Sequence, residues 1–297
     1  MTAPNAPPAD DTDKGRAGGG RRARALAVRV VVVLVVGGVV LLTVLTVIQD
    51  QFVYLPDRAM PAAAALQRGA EEVKYPAADG LTVHGWFLPA RGTATGTTAV
   101  VFHGNAGNRA AAAELGGQLA DGGMSVLLAE YRGFGDTAGE PSEAGLRDDA
   151  VGAIAYARSR PDVDASRIVA VGYSLGTGVA VEAAEVTAPA ALVLLAPYTS
   201  LPDVAWSRLP GLPYHHLMRT QFDSLSRVPG LHSPVLVVRG SADQEIPPEQ
   251  SQRVFDAANQ PKQLVTLPGA DHGLRSPMGA TGAAATLAFV DQVLPSA

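Results

Sequence analysis

The sequence predicts an α/β protein with a mostly parallel, doubly wound sheet of about eight strands, preceded by one transmembrane helix. Short continuous apolar runs alternate with helical segments along most of the chain, and one long uncharged apolar run lies near the N-terminus. Continuous apolar runs are typical of parallel strands buried on both faces, and their alternation with helices favours a doubly wound sheet. The chain has 297 residues, of which 47% are hydrophobic. This suits one large α/β domain with appendages.

The N-terminal part predicts a tail followed by a membrane span. Residues 1–24 hold almost no large apolar side chains, so we expect a disordered tail. The run VVVVLVVGGVVLLTVLTVI (30–48) carries no charge, and as a helix it spans roughly 28 Å, which predicts a transmembrane helix over 25–48. A buried core element and a cleaved signal peptide are the alternatives. The peptide's apolar core would be shorter, and the first Ala-x-Ala site (62–64) lies far downstream.

The charges around the span predict its orientation. Two acidic residues and only one arginine follow it, whereas the basic residues that precede it are Lys14, Arg16, Arg21, Arg22, Arg24 and Arg29. The positive-inside rule then predicts a single-pass protein with a cytoplasmic N-terminus and an extracytoplasmic C-terminal domain. The formal net charge of −5 argues against a nucleic-acid partner, and the absence of cysteine excludes a lipoprotein anchor.

A linker is expected over 49–68; fully extended, it would reach about 65 Å. A single domain follows over 69–297 and opens with a hairpin, 71–75 and 81–88, around the Asp79-Gly80 turn. The remaining strands are expected at AVVFHG, MSVLLAEY, RIVAVG, ALVLLAP, PVLVVRG and KQLVTLPG. The helices are expected at 109–120, 142–158, 175–186, 248–258 and 280–294.

An irregular insert at about 198–233 interrupts this alternation and predicts a short cap. It is rich in Pro, aromatic and Leu residues, and its large apolar side chains are Tyr198, Leu201, Trp206, Leu209, Leu212, Tyr214, Leu217, Met218 and Phe222. Either they line a pocket for an apolar ligand, or they bury one another.

The stretch IVAVGYSLGTGV (168–179) places Ser174 between Gly172 and Gly176. A strand before the serine and a small-residue helix after it predict a sharp turn that points the hydroxyl outward, as in a nucleophile elbow. A G-x-S-x-G match alone is weak evidence, and an ordinary Gly-Ser turn is the alternative.

A nucleophilic serine needs a base and an orienting carboxylate, and both are expected after later strands. Asp243 ends PVLVVRGSAD, and His272 ends KQLVTLPGADH. The order Ser174, Asp243, His272 is the chain order of an α/β-hydrolase triad. Asp203 is a rival acid. The alternatives are that Asp243 caps the helix near Pro248 and that His272 is a surface histidine.

The tetrahedral oxyanion needs backbone donors, and HGNAGN (103–108) leaves a strand with two glycines. We expect the N–H groups of Asn105 and Leu175 to face the same point. Asn108 is also expected to cap the helix that begins at Arg109. His103 directly ends the strand and is interpreted as a support for this loop.

The chain resembles the membrane-anchored α/β-hydrolase-domain serine hydrolases over roughly 50–275. The motifs that carry the resemblance are FVYLPD (52–57), HGNAGN, YRGFGDTAGEPSEAGLRDDA (131–150), VGYSLGTGVA (171–180), YTSLPDVA (198–205) and the GSAD and GADH strand ends. The resemblance implies an α/β-hydrolase fold, one N-terminal membrane segment and no cofactor. It also implies acyl esters or thioesters as substrates, including lysophospholipids and palmitoylated proteins.

Carried over by position, the resemblance makes Ser174 the nucleophile, His272 the base and Asp243 the acid. Asn105 and Leu175 become the oxyanion donors. Family members often have Lys-Ser after YRG-x-G, where this chain has Asp136-Thr137. The family's substrate contacts therefore do not transfer to this loop.

These observations predict a membrane-anchored serine hydrolase that acts on an acyl-ester or lipid-like substrate through an acyl-enzyme. No metal is expected, because no histidines and carboxylates stand at zinc-ligand spacing. A serine peptidase on the same fold, and a catalytically silent receptor or scaffold, are the rival interpretations.

Overall fold

A computed structural model describes residue 3 and residues 13–61, 69–273 and 277–295. The chain divides into two compact units, Met1–Gln49 and Asp50–Ala297. Each unit is described by itself below.

The first unit contains helix α1, Asp13–Ile48. Within it, Arg24–Thr43 is long and apolar enough to cross a membrane, with a mean hydropathy of 2.9 and none of its residues buried. Residues 13–24 are helical, whereas the sequence predicted a disordered tail up to residue 24. The run RRARALA (21–27) consists of good helix formers, whereas the glycine-rich run 13–20 does not, so its helical state rests on extension of an existing helix, which is easier than nucleation. The rest of the predicted tail lies outside the described residues.

The second unit is built on a sheet of eight strands, as the sequence predicted. The described part of the unit has ten strands, of which β1 and β5 form a separate pair: β1 (Leu55–Pro56), β2 (Glu71–Pro76), β3 (Thr82–Leu88), β4 (Thr98–Phe102), β5 (Ala106–Gly107), β6 (Ser125–Ala129), β7 (Ile168–Tyr173), β8 (Ala191–Leu195), β9 (Val235–Gly240) and β10 (Lys262–Leu267). The sheet has the order β10-β9-β8-β7-β4-β6-β3-β2. β2 and β3 pair antiparallel to their neighbours, and the other strands are parallel.

Two apolar clusters cover the two faces of the sheet. Along β4, Val100 and Phe102 belong to one cluster and Ala99 and Val101 to the other, and all four side chains are buried. Alternate residues of a strand point to opposite faces, so a strand inside the sheet must be apolar throughout. This explains the continuous apolar runs and confirms the doubly wound prediction.

The helices are α2 (Asp50–Val53), α3 (Ala113–Asp121), α4 (Glu143–Ser159), α5 (Leu175–Thr187), α6 (Leu201–Arg208), α7 (Tyr214–Leu217), α8 (Ser224–Arg227), α9 (Pro248–Ala257) and α10 (Pro277–Val293). All five helices predicted from the sequence are present. The first of them begins as a 3₁₀ turn at 109–112, and the last begins at Pro277 rather than at residue 280.

The predicted linker is partly folded. α2 lies within 49–68, and β1 pairs in parallel with β5 through Leu55–Ala106 and Pro56–Gly107. Between these elements, Tyr54 is 3% exposed and belongs to the core. Residues 62–68 lie outside the described residues. A buried aromatic residue explains why this stretch does not behave as a solvated linker.

The insert between β8 and β9 holds α6, α7 and α8. Tyr198 and Phe222 are buried in the core, whereas Trp206 and Leu209 are exposed. A cleft of about 380 Å³ lies in the insert, lined by Pro202, Asp203, Trp206, Leu212, Pro213, Tyr214, His215 and His216. Burial in the core therefore holds for Tyr198 and Phe222, while a pocket for a substrate chain stays a prediction.

Candidate active site

Ser174 lies in the tight turn between β7 and α5, with φ of 52° and ψ of −120°. Positive φ is strained for a residue with a side chain, and such strain persists only where the surroundings enforce it. Here the Ser174 N–H donates to the carbonyl of Leu195, at 3.0 Å. The hydroxyl of Thr177 donates to the Ser174 carbonyl, at 2.6 Å. The turn is thus held at both of its backbone groups.

The two flanking glycines are required by close backbone contact. A Cβ added at Gly172 would collide with the carbonyl oxygen of Gly176, and one added at Gly176 with the carbonyl oxygen of Phe102. Only glycine therefore fits at both positions that flank the serine. The turn packs directly against its own helix and against β4.

The structure brings Ser174, His272 and Asp243 together. Nε2 of His272 lies 2.8 Å from Oγ of Ser174, and Nδ1 lies 2.8 Å from Oδ2 of Asp243. Because a carboxylate oxygen only accepts, Nδ1 carries the proton and Nε2 is left to accept from the serine hydroxyl. This is the hydrogen-bond arrangement of a serine, a general base and an orienting acid.

Asp243 is held by its loop. Its Oδ1 accepts the backbone N–H groups of Glu245 and Ile246, at 2.9 and 2.8 Å, while Oδ2 faces His272. The side chain is 2% exposed. The capping alternative is wrong, because α9 begins after Pro247 without a side-chain cap and the N–H groups that Asp243 accepts belong to the loop before the helix.

The rival acid, Asp203, is engaged elsewhere. It accepts the hydroxyl of Thr199 at 2.6 Å and lies 3.0 Å from Nε2 of His215. Burial opposes ionisation of Asp203, but the hydrogen bonds from Thr199 and His215 outweigh it and lower the pKa of the carboxyl group. It contacts a different histidine from the one beside Ser174.

Tyr173, the residue before the nucleophile, was not singled out in the sequence. Its hydroxyl donates to the carbonyl of His272 at 2.5 Å, and the two ring centroids are 5.3 Å apart. Burial, together with nearby carboxylates, raises the pKa of Tyr173, so the phenol stays protonated and keeps donating. A tyrosine at this position therefore ties the histidine loop to the nucleophile turn.

The loop after β4 packs against the nucleophile. A Cβ added at Gly104 would lie 3.6 Å from Cβ of Ser174. Asn105 is fixed twice, since its Nδ2 donates to the carbonyl of Val53 at 3.1 Å and its carbonyl accepts the Leu55 N–H at 2.8 Å. Leu175 is the first residue of α5, where a backbone N–H has no acceptor within its own helix. The two predicted oxyanion donors therefore flank the serine.

A buried ion pair lies beneath this loop. The His103 ring faces two acceptors, with Nδ1 2.8 Å from the Gly104 carbonyl and Nε2 2.7 Å from Oε1 of Glu130. Both side chains are almost completely buried. The ring is thus held at both of its nitrogens, and Arg109 pairs with the other carboxylate oxygen of Glu130, at 3.1 Å. Glu130 was not singled out in the sequence, although a glutamate directly after a buried apolar run is a signal for a paired buried charge.

The network continues to the Asp136-Thr137 pair. Arg109 donates to Oε2 of Glu130 at 3.1 Å and to Oδ1 of Asp136 at 2.6 Å, and Nδ1 of His84 lies 2.7 Å from Asp136. Burial favours the neutral form of the Asp136 carboxyl group, but the hydrogen bonds from Arg109 and His84 outweigh burial and lower the pKa of Asp136 to about 2. At the position where the family often has lysine, Asp136 is therefore occupied with internal pairing.

Asn108 caps the adjacent turn as predicted, accepting the Ala110 N–H at 3.0 Å.

Comparisons with known proteins agree with this architecture. A family model described as "Serine aminopeptidase, S33" matches residues 94–212. Protein Rv2307c of Mycobacterium tuberculosis H37Rv is 39% identical over 253 residues, which cover 85% of this chain and 89% of that protein. The chain belongs to the α/β-hydrolase family. This hydrolase is also 34% identical over 203 residues to human protein ABHD12B, covering 59% of this chain and 55% of that protein.

Solved structures share the fold of this hydrolase. The Pyrococcus furiosus esterase Pf2001 matches with a TM-score of 0.65 at 17% identity, covering 81% of this chain and 98% of the esterase. XC6422 of Xanthomonas campestris, described as a serine hydrolase without a lid, matches with a TM-score of 0.58 at 20% identity, covering 78% and 98%. At these identities the likeness establishes the fold alone. Among the described residues, no three His, Asp or Glu side chains are grouped so that they could hold a metal ion.

Proposed function

We propose that this hydrolase is a serine esterase that cleaves acyl esters or thioesters through an acyl-enzyme. One observation carries the proposal: the continuous hydrogen-bond chain from Oγ of Ser174 through His272 to the buried carboxylate of Asp243. A silent receptor or scaffold has no need for a strained serine held against a histidine.

In the proposed reaction, Oγ of Ser174 attacks the carbonyl carbon while Nε2 of His272 takes the hydroxyl proton. Asp243 stabilises the imidazolium that forms. The carbonyl oxygen becomes an oxyanion that accepts from the N–H groups of Asn105 and Leu175. The intermediate collapses to the acyl-serine, and the leaving alcohol or thiol takes the proton from Nε2. Water then attacks the acyl-serine by the same steps and releases the carboxylic acid.

We also propose that α1 anchors the enzyme in a membrane, with the N-terminus in the cytoplasm and the catalytic unit outside. The supporting features are the apolar stretch Arg24–Thr43 and the basic residues that precede it. A reporter enzyme that is active only after export, fused after Ala297, should be active. Activity of a reporter that works only in the cytoplasm would contradict this orientation.

A second candidate is a serine aminopeptidase, which the description of the matching family model favours. An aminopeptidase must bind the free ammonium group of its substrate, and Asp203 in the insert cleft supplies a carboxylate. This carboxylate already pairs with His215. A peptidase would have to break this pair before Asp203 could bind the ammonium group, whereas an esterase would not.

One assay of the full chain distinguishes the esterase from the aminopeptidase. We expect p-nitrophenyl esters to be hydrolysed with a kcat/KM far above that of amino-acid p-nitroanilides. If the insert cleft holds the acyl chain, kcat/KM should rise several-fold per two carbons until the cleft is full, since each buried methylene contributes about 0.8 kcal/mol. A flat profile from acetyl to decanoyl would leave a small-ester site, and faster anilide cleavage would favour the peptidase.

A further inference from the structure

The catalytic unit begins almost directly after α1. α1 ends at Ile48 and α2 begins at Asp50. The carboxylate of Asp50 accepts hydrogen bonds from Arg219 at 2.9 Å and Thr220 at 3.2 Å, both in the insert. Two residues reach at most roughly 7 Å. The expected linker reach of about 65 Å is therefore absent, and the chain is fixed to the catalytic unit within two residues of α1.

The residues that follow run along the active-site loop. We call residues 50–57 the docking segment. Within it, the Val53 carbonyl and the Leu55 N–H both bind Asn105, and the Asp57 N–H donates to the carbonyl of Gly107 at 2.7 Å. Because Asn105 follows the glycine that packs against Ser174, the docking segment lies at the same edge of the sheet as the proposed nucleophile.

This edge carries exposed apolar side chains. In the docking segment, Phe52 is 69% and Leu55 is 49% exposed, and in or next to α6 of the insert, Trp206 is 52% and Leu209 is 63% exposed. In the part of the second unit that the structure describes, Val186 is the only other large apolar side chain exposed in this way. Val186 lies near the end of α5, a helix that starts directly after Ser174, and therefore at the opposite edge of the sheet.

We propose that Phe52, Leu55, Trp206 and Leu209 rest on the lipid bilayer that α1 crosses, so that the nucleophile opens towards the lipid headgroups. The anchoring by α1 and the role of Ser174 rest on the proposed function. We infer a lipid surface because Phe52 and Leu55, two of these four side chains, lie in the docking segment. This segment directly follows the apolar helix α1. Exposed aromatic and aliphatic side chains beside a polar rim are typical of such a surface. Substrates would then be esters held in the membrane.

The absence of cysteine in the chain allows a direct test on full-length protein. Phe52→Cys carries an environment-sensitive fluorophore, and the protein is reconstituted into vesicles of phosphatidylcholine and phosphatidylglycerol with a nitroxide quencher at headgroup depth. Val186→Cys is the matched control, because it is equally exposed and apolar but lies at the other edge. We expect several-fold stronger quenching at position 52 than at 186. Equal quenching at both positions would overturn the proposal.

The insert provides a label-free measurement. The two tryptophans are Trp86, which is fully buried, and Trp206. The fluorescence of Trp206 is the difference between the emission of the native protein and that of Trp206→Phe. Brominated lipids should quench this difference. If a short cysteine cross-linker instead joins Phe52→Cys in the vesicles to a second copy or to another protein, that partner covers the surface, and the proposal fails.

The quenching experiments are repeated in Ser174→Ala. If position 52 is quenched but the native chain hydrolyses no ester, the esterase proposal fails and the membrane surface stands. If the native chain hydrolyses a dissolved ester but position 52 is not quenched, the membrane surface fails and the esterase proposal stands. In the native background, Phe52→Ser should lower kcat/KM several-fold for an ester embedded in vesicles and leave kcat/KM for a dissolved butyrate ester unchanged. An equal loss on both esters would contradict the proposal.

Discussion

Nε2 of His103 lies 2.7 Å from Oε1 of Glu130, and both side chains are removed from solvent. The same ring donates from Nδ1 to the carbonyl of Gly104 at 2.8 Å. That carbonyl and the Asn105 N–H belong to one planar peptide unit, so a hydrogen bond on one side fixes the direction of the other. The buried pair therefore orients the peptide that we propose as an oxyanion donor.

Replacing Glu130 tests this pair. Glu130→Gln removes the carboxylate that faces His103 and pairs with the buried guanidinium of Arg109, and breaking a buried pair costs about 3–5 kcal/mol. We expect a clear fall in Tm together with a lower kcat at nearly unchanged KM. The comparison is Asp121→Asn, which removes a surface pair with Arg91 and should cost less than about 1 kcal/mol. A fall in Tm with kcat unchanged would reduce the pair to a structural role.

The acid assignment predicts a large contrast between two aspartates. Asp243→Asn should leave the fold intact and lower kcat by about 10⁴-fold, because His272 loses the carboxylate that fixes its tautomer. Asp203→Asn should stay close to the native rate, since Asp203 pairs with His215. Steady-state kinetics on a short ester separate the two, and the opposite ranking would show that the acid is misassigned.

Glu182 predicts a pH dependence of stability. Burial, followed by the hydrogen bond and charge of Glu143, raises the pKa of Glu182 from 4.5 to about 8, against the attraction of Arg227. The folded state then holds a proton that the unfolded state releases, so this contribution to stability is complete below about pH 4.5. It is lost as the pH rises to about 8.

The matching experiment compares two neutral variants. Glu182→Gln should flatten the decline of Tm between about pH 5 and 8 and raise Tm at pH 8.5, whereas Glu185→Gln, a more exposed partner of Arg227, should keep the native slope. A native slope in Glu182→Gln would show that another group titrates.

Two glycines test the packing of the nucleophile turn. Gly176→Ala places a methyl group against the Phe102 carbonyl and should lower Tm strongly or prevent folding. At Gly230 no atom lies within 4 Å of an added Cβ, and its φ is not positive, so Gly230→Ala should leave Tm nearly unchanged or slightly higher. Thermal unfolding of both variants is sufficient, and similar Tm values would contradict the close contact.

The sequence predicted the strand order along the chain and the residues that meet at Ser174 because both follow from local patterns. A parallel strand buried on both faces is a continuous apolar run, and the residues at its carboxyl end collect at one edge of the sheet. Asp243 and His272 could therefore be located without any knowledge of distance.

Partners across the fold were not predictable in the same way. Glu130 and Arg109 are 21 positions apart, and no periodic pattern identifies which buried charges pair. FVYLPD was interpreted as a linker because it is short and follows the apolar span, whereas the burial of Tyr54 depends on tertiary packing. The direction of the Tyr173 hydroxyl likewise depends on where the histidine loop ends.

Covalent labelling of Ser174 tests its proposed role in forming the acyl-enzyme. The most direct measurement incubates the full chain with a fluorophosphonate and locates the added mass by peptide mass spectrometry, in parallel with Ser174→Ala and His272→Ala. We predict that the native protein gains one phosphonyl group on the peptide containing Ser174. Ser174→Ala should gain none, and His272→Ala should react far more slowly. Modification of another residue, or unchanged labelling and ester hydrolysis in Ser174→Ala, would contradict the account.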